Sequence, residues 1–207
     1  MFSVLVVSIL LLVIFIGWLV WNKVFRLRDV DTVSKERSAR IDIYSSDMKF
    51  DLSDVKVGGG LKAKCDYARW VNAKDQKKYW IAEGGVGHRW EEMWLEFTSA
   101  GTGEVLINIR GSYFKDIKQR HHDVWVDDFQ VSGAQVKNGD FEMIDPDGMP
   151  AYWGWSGSKK RYSTDGSQAH SGKCCALVWH DIPLIQKIKV EAGKKYRVGA
   201  WFKAYSK

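Results

Sequence analysis

The chain has 207 residues, 45% hydrophobic and 14% aromatic, with 11 Trp but only 3 Pro and 3 Cys, which excludes collagen-like, disulfide-scaffold and wholly disordered chains. Lys and Arg number 31 against 25 Asp and Glu, a net charge of +6. The two signs are interleaved without a basic stripe, so nucleic acid is not an implied partner.

In chain order, the first feature is apolar. Every Lys, Arg, Asp and Glu lies after Trp21, and about 20 apolar residues span a bilayer core, so residues 1–22 are expected to form one transmembrane helix. Trp18 and Trp21 followed by Lys23, Arg26 and Arg28 read as an aromatic belt and headgroup-level cations. A cleavable signal peptide fits less well, because a basic n-region and a small-x-small cleavage site are both missing. Those flanking cations, by the positive-inside rule, favour a cytoplasmic soluble part, whereas the domain reading below favours an extracytoplasmic one at the cell membrane. Residues 23–40 are polar and read as a stalk.

From Ile41 the pattern changes to short runs of period-two alternation bounded by Gly, Asp, Asn and Ser, the mark of an all-β sandwich. Strands are expected over 41–44, 48–52, 61–70, 78–82, 93–98, 105–110, 124–131, 175–179, 185–190 and 196–203. Alternation places Met93, Leu95 and Phe97 on one face and Glu92, Trp94 and Glu96 on the other, so Trp94 is expected to be exposed. Likewise Tyr196, Val198, Ala200 and Phe202 share an apolar face opposite Arg197, Trp201 and Lys203. Cys65 stands alone and Cys174 and Cys175 are adjacent, so they read as small buried hydrophobes, with a bridge from Cys65 to one of the pair as the alternative.

At 124–142 (VWVDDFQVSGAQVKNGDFE) the chain resembles the carbohydrate-binding modules with a galactose-binding-like jelly roll. Three further stretches resemble that family: PAYWGW (150–155), AHSGK (169–173) and IQKIKVEAGKKYRVGAWFKA (185–204). Residues 89–98 with 104–111 resemble its late strands. The resemblance implies that NGxFE opens the first strand of the jelly roll and that the VDD strand closes it, yet here the closing strand precedes the opening one. Two readings fit. In one, residues 41–207 form a single, circularly permuted sandwich. In the other, 41–134 form a first sandwich and 136–207 begin a second, partial one.

The resemblance implies non-catalytic glycan recognition, in which aromatic faces stack on pyranose rings while amides, carboxylates and guanidiniums orient hydroxyls. The aromatic and guanidinium candidates are Trp90, Trp94, Trp80, Tyr79, Trp155 and Arg110, followed by Trp70, Trp153 and Tyr152; Trp125, Trp179 and Trp153 also occupy the family's core or turn positions. It also implies one structural calcium held by Glu142 and Asp128, with Asp127 beside them and carbonyls near 170–173. Nucleophile-elbow, zincin, P-loop and dinucleotide motifs are absent from the sequence, and enzymatic activity is not expected. The competing reading is a structural or assembly subunit of a membrane or envelope complex, with the sandwich making protein contacts.

Overall fold

The computed structural model describes residues 38–45, 52–67, 78–111, 123–155 and 162–205. The transmembrane reading of 1–22, most of the stalk reading and Trp70 lie outside these residues, as do the side chains of Cys65, Tyr79 and Trp155.

The described residues form twelve strands: β1 (Ser38–Ser45), β2 (Leu52–Gly58), β3 (Lys62–Tyr67), β4 (Lys78–Gly85), β5 (Glu91–Ser99), β6 (Gly103–Gly111), β7 (Val124–Ser132), β8 (Gly154–Trp155), β9 (Tyr162–Ser163), β10 (Cys175–Val178), β11 (Leu184–Val190) and β12 (Lys195–Ala204). All pair antiparallel, in two six-stranded sheets. Sheet I runs β3-β4-β1-β6-β11-β8 and sheet II runs β2-β5-β12-β7-β10-β9. The protein is an all-β sandwich. Strands from before and after residue 135 share both sheets: β11 pairs with β6, and β12 lies between β5 and β7.

Alternation explains the core. Ala39, Ile41, Ile43, Val105, Ile107 and Ile109 of sheet I meet Met93, Leu95, Phe97, Val198, Ala200 and Phe202 of sheet II in one buried cluster. Burying such side chains is worth roughly 1.5–3 kcal/mol each for the larger ones. Phe97 and Tyr196 stack within it, centroids 5.6 Å apart, and the Tyr196 hydroxyl accepts from the Glu191 amide at 2.8 Å. Cys174 and Cys175 are buried free thiols.

Three expectations need correction. The first strand begins at Ser38, inside the segment read as stalk, because Ala39 already packs in the core. Residues 48–51 of the expected second strand lie outside the described residues, and a strand not expected from the sequence runs over Leu52–Gly58. Its register against β5 shifts between Ser53 and Lys56, next to Asp54 at φ 53°, and that irregularity puts Leu52 out of step with Val55 and Val57, hiding the alternation. The third concerns residues 138–143, which form a turn rather than an opening strand.

That turn is organised by Asn138, at φ 52°. Its side-chain amide donates to the carbonyls of Met143 (2.8 Å) and Ala151 (3.0 Å), and its carbonyl oxygen accepts from the Met143 amide (2.8 Å). The backbone carbonyl of Asn138 accepts from the Trp153 indole at 2.9 Å, which seats Trp153 against Phe129 and Phe141. Gln186 of β11 closes the neighbouring stretch, accepting from the Lys137 amide and donating to its carbonyl at 3.1 and 3.0 Å.

Asn138→Ala removes three hydrogen bonds at a left-handed position and is expected to cost about 2–4 kcal/mol in chemical denaturation. Because β12 takes both its neighbours from residues 91–132, a polypeptide of residues 136–207 is expected to melt without a cooperative transition in circular dichroism.

Candidate functional site

The outer face of sheet II brings together the side chains with the most chemistry. Down β12, alternation turns Arg197, Gly199, Trp201 and Lys203 outward. Opposite them β5 places Glu96, Trp94 and Glu92, and β7 places Ser132, Gln130, Asp127 and Trp125.

At one end, Glu92, Gln130, Val131, Ser132, Arg197 and Gly199 line a cleft of about 600 Å³. Gly199 provides its floor. A Cβ there would stand 3.3 Å from Trp94 Cβ and 3.6 Å from Glu92 Oε1, so any larger side chain would fill the space. Trp94 adjoins that floor. It does not stand free as alternation alone suggested: it is half-buried, the Arg197 guanidinium lies 4.4 Å over its ring, and a Cβ on Gly58 would overlap its indole. Arg197 is in turn held by Glu92 at 3.2 Å.

At the other end, His170 stacks on Trp201 (4.0 Å, 14° between planes) and meets Trp90 edge-on at 5.7 Å. Lys203 Nζ lies 4.7 Å over the Trp90 ring and donates to the Gln168 carbonyl at 3.0 Å. Beneath Trp90, the buried Trp125, Cys175 and Leu177 form an apolar base.

A loop over 165–174 closes this end, and the acids read as calcium ligands are what hold it. The register of β7 against β12 shifts between Gly199 and Trp201, and the extra residue, Asp128, sits at φ 45°. The bulge lets neighbours reach the same loop. Asp127 accepts from the amides of His170 (2.7 Å) and Ser171 (3.2 Å), and Asp128 engages His170 Nδ1 (2.6 Å) and the Ser171 hydroxyl (2.8 Å). Glu142 Oε1 accepts from the amides of Lys173 (2.7 Å) and Cys174 (2.9 Å), packed where Gly172, at φ +60°, leaves room for it. A hard cation needs six to eight oxygens with lone pairs free to face it. Here both oxygens of Asp127 and of Asp128, and Oε1 of Glu142, face N–H and O–H donors of the chain, so these acids hold the loop. Among the described residues no three His, Cys, Asp or Glu side chains gather into a metal site.

The remaining sequence candidates are scattered. Trp80 is half-buried and packs against the core from β4, away from sheet II. Arg110 is 9% exposed on the outer face of sheet I, where it and Arg40 pair with Asp42, itself 0% exposed, with Arg110 at 2.7 Å; Tyr44 donates to the same carboxylate at 3.2 Å. This guanidinium belongs to an internal ion cluster. Trp153 is core, while Tyr152 is 57% exposed under Lys137 Nζ. For Tyr79 and Trp155 only the backbone, in β4 and β8, is described. Of the candidates, sheet II therefore unites Trp90 and Trp94. It adds Arg197, Gln130, His170, Trp201 and Lys203, which sequence reasoning did not nominate; the outward phase of Arg197, Trp201 and Lys203 was the available signal.

No family model, curated protein or solved structure matches this chain.

Burial pushes the Asp127 carboxyl up from 3.8 to about 6, against the pull of the Asp128, Ser171 and His170 amides. The folded protein thus holds a proton that the unfolded chain loses near pH 4, so this group makes stability fall as pH rises from about 4 to about 6. Asp127→Asn keeps an acceptor but cannot titrate, and is expected to flatten that part of the stability profile measured by urea denaturation.

Proposed function

We propose that this chain is a membrane-anchored, non-catalytic carbohydrate-binding module whose glycan site is the outer face of sheet II. Its apolar residues 1–22 supply a single-pass anchor, and the sandwich recognises glycans at the cell surface. The fold in this reading is a galactose-binding-like jelly roll in permuted order, supported by a late strand, β12, seated between two earlier ones.

The observation that carries the reading is the cleft beside Trp94. A pyranose ring offers an apolar C–H face and a rim of hydroxyls, so its receptor needs a shallow floor and several hydrogen-bonding side chains of mixed polarity, with an aromatic side chain close by. Gly199 is the floor, Glu92, Gln130, Ser132 and Arg197 supply acceptors and donors, and Trp94 adjoins the floor beneath the Arg197 guanidinium. The guanidinium over Trp94 is already oriented by Glu92, which lowers the ordering cost when a hydroxyl binds it.

Glycan arrays followed by calorimetry test this. Binding is expected to at least one polysaccharide class, weakened about tenfold or more by Trp94→Ala (about 1.4 kcal/mol) and lost in Gly199→Val, whose side chain occupies the cleft. Both variants should keep the native circular dichroism spectrum. Silence across neutral and acidic polysaccharides, with pull-down of a stoichiometric protein partner from membranes, would replace this reading with an assembly role.

A further inference from the structure

Several charges on the outer face of sheet II pair off, whereas Lys56, exposed on β2 opposite Glu96, and Lys203 are joined to no carboxylate of the described residues. Glu92 is joined to Arg197 at 3.2 Å, Glu96 to Lys195 at 3.5 Å and Asp128 to His170 at 2.6 Å, while Asp127 is taken up by the amides of Asp128, His170 and Ser171. Lys203 has no such partner. Its ammonium is half-buried between the Trp90 ring and the Gln168 carbonyl, and no ion pair joins it to a carboxylate of the described residues. Partial burial pushes its pKa down, while Cys175 and Asp127 pull it the other way. One carbonyl uses one of the three ammonium donors.

Position matters as much as charge. Lys203 lies on the same outward row of β12 as Arg197, six residues on, which is about 20 Å of extended strand. Each of these cations lies over a tryptophan, Trp94 at one end and Trp90 at the other. The row between them holds Gly199 and the Trp201–His170 stack.

We infer that this face takes an acidic oligosaccharide, a uronate-containing chain lying along β12. The carboxylate of one sugar sits on Lys203 beside Trp90, and another sugar fills the cleft of Glu92, Gln130 and Arg197. This rests on the glycan reading above and adds the ligand's charge and its length.

The test is calorimetry of the full chain in detergent with hexasaccharides of galacturonate, glucuronate and mannuronate, each beside its carboxyl-reduced neutral counterpart. The acidic member of at least one pair is expected to bind about tenfold or more tighter than the neutral one, and more tightly than its monosaccharide. Lys203→Gln should bring the acidic member down to the neutral level, and Lys203→Arg should preserve the preference. Equal binding of acidic and neutral members, or a preference that survives Lys203→Gln in a variant with an unchanged melting temperature, overturns the acidic assignment and leaves the glycan reading standing. Failure of every saccharide, acidic and neutral, overturns both.

Discussion

The pairing of β12 on both its edges is the constraint on which the rest of this sandwich depends. Its inward row, Tyr196, Val198, Ala200 and Phe202, lies in the deepest part of the core, and its outward row carries Arg197, Gly199, Trp201 and Lys203. A strand flanked on both sides has every second side chain fixed between two neighbours. Pairing with β5 brings Trp94 and Glu92 within reach of Arg197, and pairing with both β5 and β7 is why the glycine in the same row opens a cleft instead of a gap at an edge.

The second constraint is the latch between β7 and the loop over 165–174. A sandwich loop carries backbone amides that need acceptors, and this one finds them in Asp127 and Glu142. The bulge at Asp128 doubles the grip by reaching the His170 ring and the Ser171 hydroxyl. Since His170 also stacks on Trp201 and abuts Trp90, the latch sets the geometry of the aromatic end of the face. The carboxylates that the family resemblance assigned to a metal accept hydrogen bonds from loop amides here.

The two outer faces of the sandwich use charge in opposite ways. On sheet I, Asp42 is enclosed with Arg40, Arg110 and Tyr44. Removing one member of such a cluster strands a buried charge, so it fixes structure more than it recognises anything. On sheet II the ionic groups stay partly wet: Arg197 and Glu92 keep 42% and 32% of their side-chain surface in solvent. Hydroxyls of a ligand can exchange with water there at little cost, which is why the proposed glycan site is placed on this face.

Local pattern determined a good deal about this protein. Alternation in 93–98 and 196–203 set which side chains face inward, since a period of two leaves no other choice once one face is apolar. The outward placing of Trp94, Trp201 and Lys203 followed from the same arithmetic, and so did the all-β class. What alternation could not contain was long-range pairing. Leu52–Gly58 escaped notice because its irregular register breaks the period, and the opening strand that the family resemblance implied at Asn138 is a turn because the Asn138 side chain hydrogen-bonds to Met143 and Ala151. Only tertiary structure decided that Arg110 belongs to a closed ion cluster, that Asp127, Asp128 and Glu142 hold a loop, and that residues 91–98 and 197–203 meet to form one face. Each of those outcomes depends on which residues from distant segments become neighbours, and a one-dimensional pattern carries the phase of a strand without naming its partner.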